Sequence, residues 1–220
     1  MRKIGILGGT FNPIHIGHLI LAEQAAEECD LSQVLILPSG ISYMKSDIAI
    51  PDKSVRAEMV KLAIESNPLF VFCDIELKRE GNTYTCDTCD ELMRGYPDTE
   101  FYFIIGADTL FSMEKWKNTA HIFKCFHILA AVRDDASRIS MLQKSEELKK
   151  KYGASIYMLH MPNLEISSKE IRRIYASGKS IRYYVPDKVY EYIKERDLYH
   201  EYEECKEAAE CIAEKIEKKT

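Results

Sequence analysis

The sequence predicts an α/β fold, namely a doubly wound parallel sheet with a helical C-terminal part. Short apolar runs alternate with amphipathic segments along residues 1–165. The runs are apolar on both faces, as in parallel strands that are covered by crossover helices. After about residue 165 the apolar runs stop and only helical patterns follow. We therefore expect one α/β domain that ends in helices, with ligands bound at the carboxyl ends of its strands.

Each element follows from a local pattern. The predicted strands are residues 3–7, 33–38, 69–73, 101–105, 126–132 and 155–159. The predicted helices are residues 17–29, 54–67, 87–96, 138–152, 167–176 and 186–196. In the first helix, Leu19, Ala22, Ala26 and Cys29 recur at three- and four-residue spacing. Ser54 is the expected cap of the second helix.

Composition excludes several classes of protein. The 220 residues are 46% hydrophobic and 30% charged, which is globular and neither disordered nor fibrous. Lys and Arg number 30 against 35 Asp and Glu, so the chain is not a strongly basic protein that coats nucleic acid. We expect no nucleic-acid partner.

The chain also lacks a predicted membrane segment. Its longest stretch without Asp, Glu, Lys or Arg is residues 4–22, and glycines, an Asn-Pro pair and two histidines interrupt it. Seven cysteines is an odd number, and most lie in predicted strands or helices. This usage is typical of a reducing compartment, so we expect a cytoplasmic protein with no membrane partner.

The strongest motif is residues 8–18, GGTFNPIHIGH, directly after the first strand. Two glycines allow a phosphate to approach the backbone, and the first turn of the following helix favours anions. An isolated pair such as His15 and His18 is more often a surface or capping feature. Zinc is a weaker alternative because no further ligand has metal-like spacing, and the P-loop pattern is absent. The combination of strand, glycines and histidines favours phosphate chemistry.

These residues resemble the signature of the HIGH-type nucleotidylyltransferase superfamily, whose fold is Rossmann-like. Residues 166–172, ISSKEIR, resemble its second motif, although by itself that run is equally typical of a capped helix with Ser168 as its cap. Within the superfamily, residues 1–199 most resemble the nicotinate mononucleotide adenylyltransferases. Supporting matches are residues 83–88, 106–108, 116 and 180–186.

The resemblance implies an enzyme that transfers the adenylyl group of ATP to nicotinate mononucleotide, with Mg²⁺ arriving on ATP. It implies that His15 and His18 are catalytic. The implied ATP-binding residues are Gly8, Gly9, Thr10, Phe11, Asp108, Ser167, Ser168 and Arg172. The implied mononucleotide-binding residues are Lys45, Tyr84, Thr85, Trp116 and Arg133. Residues 42–45 and 133–135 depart from the family pattern near the expected mononucleotide site.

Several residues have a structural alternative. Trp116 is also compatible with core packing, Asp108 with a helix cap and Lys45 with a solvated loop charge. The CxxC run at residues 86–89 favours packing over a metal or redox site. Two alternative functions stay open: transfer to nicotinamide mononucleotide, and a nucleotide-binding regulator without activity.

The last segment forms a separate unit. Residues 200–220 carry an apolar stripe at three- and four-residue spacing among Glu and Lys, which predicts an amphipathic helical extension to a domain of residues 1–199. Packing on its own domain is the favoured interpretation of that stripe, and contact in a homo-oligomer is the alternative.

Overall fold

A computed structural model describes residues 1–40, 50–132, 135–162 and 164–200. Its centre is a six-stranded sheet in which all neighbouring strands are parallel, in the order β3-β2-β1-β4-β5-β6. The strands are β1 (Arg2–Gly9), β2 (Gln33–Pro38), β3 (Phe70–Phe72), β4 (Thr99–Gly106), β5 (Phe126–Val132) and β6 (Ile156–His160). The predicted doubly wound parallel sheet is confirmed.

Eight α-helices lie in the described residues. They are α1 (Ile16–Cys29), α2 (Lys53–Ile64), α3 (Thr85–Gly95), α4 (Ala107–Ser112), α5 (Thr119–Cys125), α6 (Asp135–Tyr152), α7 (Ser168–Ala176) and α8 (Asp187–Glu195). One core layer contains buried residues of α1, α2, α7 and α8, and the other contains those of α3, α4, α5 and α6. The sheet is therefore covered on both faces, which explains why its strands are apolar throughout.

The strand order reverses between β1 and β4. From β1 the chain proceeds outward through β2 and β3, and then it returns to pair β4 with the other edge of β1. In open parallel sheets such a reversal leaves a crevice at the carboxyl ends of the strands, where ligands bind. Here the crevice lies where β1 ends at Gly9 and β4 ends at Gly106.

Some local predictions were wrong. Asp52, and not Ser54, caps α2: the backbone N–H and hydroxyl of Ser54 both donate to its carboxylate. Residues 107–125 form α4, a short 3₁₀ turn and α5, none of which was predicted. Helices α4 and α5 have only six and seven residues, which are too few to show a clear helical period in the sequence. No strand follows β6 in the described chain, as expected, although an isolated bridge joins Arg182 and Val185.

Several predicted features lie outside the described residues. Lys45 and Arg133 are among them, and so are residues 201–220, which make up nearly all of the predicted amphipathic extension. That extension and the domain boundary at residue 199 stay predictions. In the part of the chain that the structure describes, every helix is too short or too polar to cross a membrane.

Candidate active site

A cavity of about 470 Å³ opens at the carboxyl ends of β4 and β5. It brings together five of the residues singled out in the sequence: His15, His18, Asp108, Ser167 and Ser168. The remainder of its wall is mostly apolar, with Leu21, Ala131, Met161, Pro162, Leu164 and Ile166. Apart from Ile166, which begins the second motif, the sequence did not single out these apolar residues because they carry no chemistry of their own.

The two histidines are held against each other at the start of α1. The backbone N–H of His15 donates to Nδ1 of His18 at 3.2 Å. The imidazole rings stack, with their centroids 3.6 Å apart and an angle of 24° between their planes. Because Nδ1 of His18 accepts this hydrogen bond, the proton of the neutral ring is on Nε2. Nε2 is therefore the hydrogen-bond donor of this ring, and His18 lines the cavity.

Two glycines make this arrangement possible. A Cβ on Gly17 would lie 3.2 Å from Nδ1 of His15, so any side chain there would push against the ring. A Cβ on Gly9 would lie 2.9 Å from the ring of Phe11. That ring in turn meets His18 edge-on at 5.1 Å. Gly9, which was predicted for phosphate approach, and Gly17 thus provide room for these rings.

The second motif holds the loop of the first from α7. The hydroxyl of Ser168 donates to the carbonyl of Pro13 at 2.9 Å, and Nη1 of Arg172 donates to the carbonyl of Asn12 at 2.6 Å. The predicted cap was wrong, since Ser167 accepts the N–H of Glu170 and is the N-cap of α7. Arg172 is only 4% exposed, so its guanidinium supports the loop from inside.

Two helix N-termini therefore meet at one cavity. His15 is the N-cap of α1 and Ser167 is the N-cap of α7, and both residues line it. Helix N-termini present unpaired N–H groups and a partial positive charge, which suits phosphate. Asp108 adds a carboxylate from the first turn of α4. Gly8, Gly9, Thr10 and Phe11 lie on the end of β1 and the loop that follows it.

A second group of predicted residues lies at the start of α3. Tyr84 is the N-cap of α3 and Thr85 is its first residue. Nζ of Lys117, the residue after Trp116, lies 4.2 Å from the centroid of the Tyr84 ring. Trp116 packs edge-on against Phe103 of β4, with centroids 6.1 Å apart. Tyr84 and Trp116 pack against the same core layer, and neither lines the cavity at α1 and α7.

A buried hydroxyl holds the turn that carries Trp116. Thr119 is 6% exposed, and its hydroxyl lies 2.7 Å from the carbonyl of Met113 and 2.9 Å from that of Trp116. Glu114 ties the same turn to α6 through Lys144 and Lys151. These lysines lower the pKa of the Glu114 carboxyl to about 2. Trp116 is thus held by residues close to it in the chain and by α6.

Sequence reasoning missed Arg56. It lies on α2, is 3% exposed and donates to the carbonyls of Thr10 and Pro51. Burial lowers the pKa of its guanidinium. A signal was available, because Arg56 is three and four residues before Met59 and Val60, which are both fully buried. A charge on the inward face of a helix indicates a partner in the interior.

The two cysteines of the CxxC run are packed in the core. Cys86 and Cys89 are buried free thiols, and burial raises the pKa of each. No group of three or more His, Cys, Asp or Glu side chains in the described residues could hold a metal ion. These observations agree with the packing interpretation of both cysteines.

Comparison with known proteins shows the family to which this chain belongs. The model of the cytidylyltransferase-like family matches residues 6–174. A probable nicotinate-nucleotide adenylyltransferase from Lachnoclostridium phytofermentans is 48% identical over 199 residues, covering 90% of this chain and all of the relative. A protein of the same name from Dehalococcoides mccartyi is 39% identical over 199 residues, covering 90% of this chain and 97% of the relative.

Solved structures share the fold. The nicotinic acid mononucleotide adenylyltransferase of Plasmodium falciparum, complexed with APC, superposes with a TM-score of 0.72 at 19% identity. The match covers 91% of this chain and 98% of the other. The same enzyme complexed with NaAD gives a TM-score of 0.72 at 20% identity, with the same coverage of both chains. At these identities the likeness concerns the fold.

Proposed function

Because the chain belongs to the cytidylyltransferase-like family, and within it to the nicotinate-nucleotide adenylyltransferases, we propose that it makes deamido-NAD for NAD biosynthesis. The reaction transfers the adenylyl group of ATP to nicotinate mononucleotide and releases pyrophosphate. One observation carries the proposal: His15, His18 and the N-termini of α1 and α7 line a single cavity at the carboxyl ends of β4 and β5.

The chemistry requires positioning and charge stabilisation. The phosphate of a mononucleotide is largely dianionic at pH 7, since its second pKa is about 6, so it needs no general base. One of its oxygens attacks the α-phosphorus of ATP in line. The new P–O bond forms as the bond to the bridging oxygen of the β-phosphate breaks, and that oxygen leaves with pyrophosphate. No covalent enzyme intermediate is required.

His18 and His15 stabilise the charge that develops in this step. Nε2 of His18 donates a hydrogen bond to a phosphate oxygen, while Nδ1 is occupied by the backbone N–H of His15. The stacked ring of His15 fixes the orientation of the donor. A donor that is preorganised before the substrate binds needs no rearrangement during the reaction, which is why such groups contribute strongly to catalysis.

The remaining ATP contacts come from backbone and hydroxyl groups. Residues 8–11 offer amides and the Thr10 hydroxyl close to the triphosphate. Ser167 and Ser168 offer the N–H groups at the start of α7. Asp108 accepts from the ribose or faces a cation that accompanies the phosphates. Arg172 contributes through the Asn12 carbonyl that it holds.

Mg²⁺ enters with the substrate, as MgATP. The described residues contain no cluster of three or more His, Cys, Asp or Glu side chains that fits a resident metal ion. On the phosphates, the ion would neutralise part of the charge on ATP. Since the five cysteines of the described chain are free thiols, we place this activity in the cytoplasm.

The acceptor lies at the start of α3. Trp116 stacks on the pyridine ring, while the Thr85 hydroxyl and the amides near Tyr84 and Thr85 bind the nicotinate carboxylate. Asp87 is the nearby group that could instead accept from a nicotinamide NH₂. Its carboxylate lies 3.7 Å from Nζ of Lys117, so it already faces a cation. This pairing favours the acid over the amide as acceptor. Lys45 and Arg133 stay predicted contacts of the mononucleotide phosphate.

Acceptor selectivity tests the proposal. We expect kcat/KM for nicotinate mononucleotide to exceed that for nicotinamide mononucleotide by at least about tenfold, because the amide leaves a buried donor unpaired. Thr85→Val should reduce this ratio, and Trp116→Ala should weaken both acceptors alike. Pyrophosphate release with each mononucleotide measures both effects.

Two outcomes would replace the proposal. Equal efficiency with the two mononucleotides would favour an enzyme that acts on nicotinamide mononucleotide as well. Binding of ATP without pyrophosphate release from any mononucleotide would favour a nucleotide-binding regulator.

A further inference from the structure

A network of polar side chains joins the first turn of α3 to the segment that follows β3. The hydroxyl of Thr88 donates to Oε1 of Glu76 at 2.8 Å, and Nη1 of Arg79 donates to the same hydroxyl at 3.3 Å. Nε of Arg79 also donates to Oε1 of Glu91 at 3.0 Å. Thr88 is 3% exposed and Glu76 is 8% exposed, so their contact lies in the interior.

This network reaches the turn that we assign to the nicotinate carboxylate. Oγ1 of Thr88 lies 3.4 Å from the carbonyl of Tyr84, which accepts the N–H groups of Asp87 at 3.0 Å and Thr88 at 3.2 Å. That carbonyl shares one planar trans peptide unit with the N–H of Thr85, which points in the opposite direction. Contacts that fix the carbonyl of Tyr84 therefore also fix the direction of the Thr85 amide.

The hydroxyl of Thr88 has one proton and two possible acceptors. A threonine within a helix can donate to the carbonyl four positions before it, which here is that of Tyr84. Oε1 of Glu76 is closer, at 2.8 Å against 3.4 Å, so the proton belongs to that contact. Glu76 thus keeps the side chain of Thr88 from competing for the backbone of the first turn.

Glu76 is itself anchored, so it offers α3 a fixed point. Nζ of Lys53 donates to the carbonyl of Leu77, the next residue, at 2.8 Å. The backbone of Gly40 lies against the same segment. A Cβ on Gly40 would be 2.6 Å from the carbonyl oxygen of Glu76 and 2.6 Å from Cγ2 of Thr83, so the segments of both residues pack against one point of the main chain.

The apolar contacts of α3 do not fix its orientation in the same way. Its inward face includes Cys86, Cys89 and Leu92, which pack in the core layer of α3 to α6. Hydrophobic contact is non-directional, whereas a hydrogen bond weakens steeply away from its preferred angle. Burying a carboxylate is also costly, and apolar side chains often stabilise an interior position equally well. Control of direction therefore explains Glu76 better than stability does.

We propose that Thr88, held by Glu76 and Arg79, is a positioning residue for the choice of acceptor. It sets the direction of the amides at the start of α3 and so favours the carboxylate of nicotinate over the amide of nicotinamide. The inference rests on the proposed function. Trp116 stacks on either ring, so the choice depends on the group in which the two acceptors differ. A hydrogen bond to a charged acceptor is about twice as strong as a neutral one, so misalignment costs the acid more.

The test is the ratio of kcat/KM for nicotinate mononucleotide to that for nicotinamide mononucleotide, measured by pyrophosphate release. Thr88→Val keeps the shape of the side chain and removes the hydroxyl. We expect the ratio to fall about fivefold, mainly through a higher KM for nicotinate mononucleotide. Thr88→Ser keeps the hydroxyl and should keep most of the ratio. The KM for ATP should stay unchanged in both variants.

Arg79→Met tests the same network from a position that tolerates substitution better. The side chain of Arg79 is partly exposed, so this variant should fold even if Thr88→Val does not. It removes the donor to the Thr88 hydroxyl, and we expect the ratio to fall about threefold.

Cys89→Ala is the matched control. Cys89 follows Thr88 in α3 and is fully buried, but it lies in the apolar layer. Its loss should lower the melting temperature through a small cavity and leave the ratio unchanged. Thermal unfolding followed by circular dichroism compares the stability of all four variants.

Three results would overturn the inference. A wild-type ratio in folded Thr88→Val or in Arg79→Met would show that the network does not select the acceptor. Equal losses in Thr88→Ser and Thr88→Val would show that the hydroxyl is not the determinant. A fall of the ratio in step with stability, Cys89→Ala included, would show that only the packing of α3 matters. Failure of the proposed function is distinct, because the wild type itself would then release no pyrophosphate or show no preference.

Discussion

The two sides of the proposed active site are held in place by different kinds of contact. On the phosphate side, the carbonyls of loop 10–13 accept hydrogen bonds from side chains on α2 and α7, which lie 46 to 160 positions away in the chain. On the pyridine side, Thr119 holds the carbonyl of Trp116 from three positions away. The first arrangement exists only in the complete fold, whereas the second is largely a property of one turn.

The difference follows from what each side must do. The phosphate side stabilises a transition state, where a small displacement of a donor is expensive, so a rigid frame is required. The pyridine side recognises a flat ring, and stacking tolerates small shifts in position. Substitutions on the phosphate side should therefore change kcat, while substitutions on the pyridine side should change the KM of the acceptor.

The largest effect is expected for His18→Ala. Loss of the Nε2 donor should reduce kcat by about 10²–10³-fold, which is typical of a preorganised donor to a developing oxyanion. His121→Ala is the control, because His121 is paired with Asp90 of α3 and does not line the cavity. Steady-state pyrophosphate release and circular dichroism measure activity and folding. Near wild-type turnover in folded His18→Ala protein would contradict the assignment.

Gly17→Ala should have a smaller effect of the same kind. The new Cβ would lie 3.2 Å from Nδ1 of His15, so the ring must move by a few tenths of an ångström. We expect kcat to fall about tenfold, in line with the sensitivity of such sites to position. Stability should not fall with it, since alanine is favoured over glycine in a helix by about 1 kcal/mol.

Gly95→Ala is the matched control. Gly95 is also helical, and beyond its chain neighbours and the backbone of its own helix no described atom lies within 4 Å of the position that its Cβ would take. It should keep wild-type activity. If Gly17→Ala were fully active, close packing against His15 would not matter for catalysis.

Thr119→Val should have the smallest effect and act on the other side. The carbonyl of Trp116 loses the Thr119 hydroxyl, and that of Met113 keeps only the backbone N–H of Trp116, which should cost about 1–3 kcal/mol of the free energy of unfolding. We expect the KM for nicotinate mononucleotide to rise by about an order of magnitude, which corresponds to about 1.4 kcal/mol of lost binding. The KM for ATP should stay unchanged.

Thr99→Val provides the comparison for this variant. Thr99 is likewise buried, but its hydroxyl binds Pro97 at the opposite end of β4 from the site. It should lower stability without changing either KM. An equal rise of the two KM values in Thr119→Val would mean that the two sides are not separately held.

Much of the fold could be predicted because its signals are local. The sequence predicted all six strands, since buried parallel strands are continuous apolar runs. Glycine, proline or a charged residue marks the ends of most of these runs. The residues of α4 and α5 escaped because each helix is only about two turns long. Caps were misassigned for a similar reason: Asp52 and Ser54, or Ser167 and Ser168, are equivalent in pattern until the backbone is placed.

The candidate site likewise has one part that the sequence predicted and another that it did not. By itself the sequence determined the sheet, the residue types of both motifs and the position of His15 and His18 at the start of a helix, because glycine pairs, histidine spacing and apolar runs are properties of neighbouring residues. Only the tertiary structure decided which side chains support those motifs. Arg56 and Arg172 reach loop carbonyls from separate helices, and Thr119 reaches two carbonyls of one turn. A hydrogen bond to a backbone carbonyl places no demand on the identity of the residue that accepts it, so it leaves no trace in the sequence of the loop.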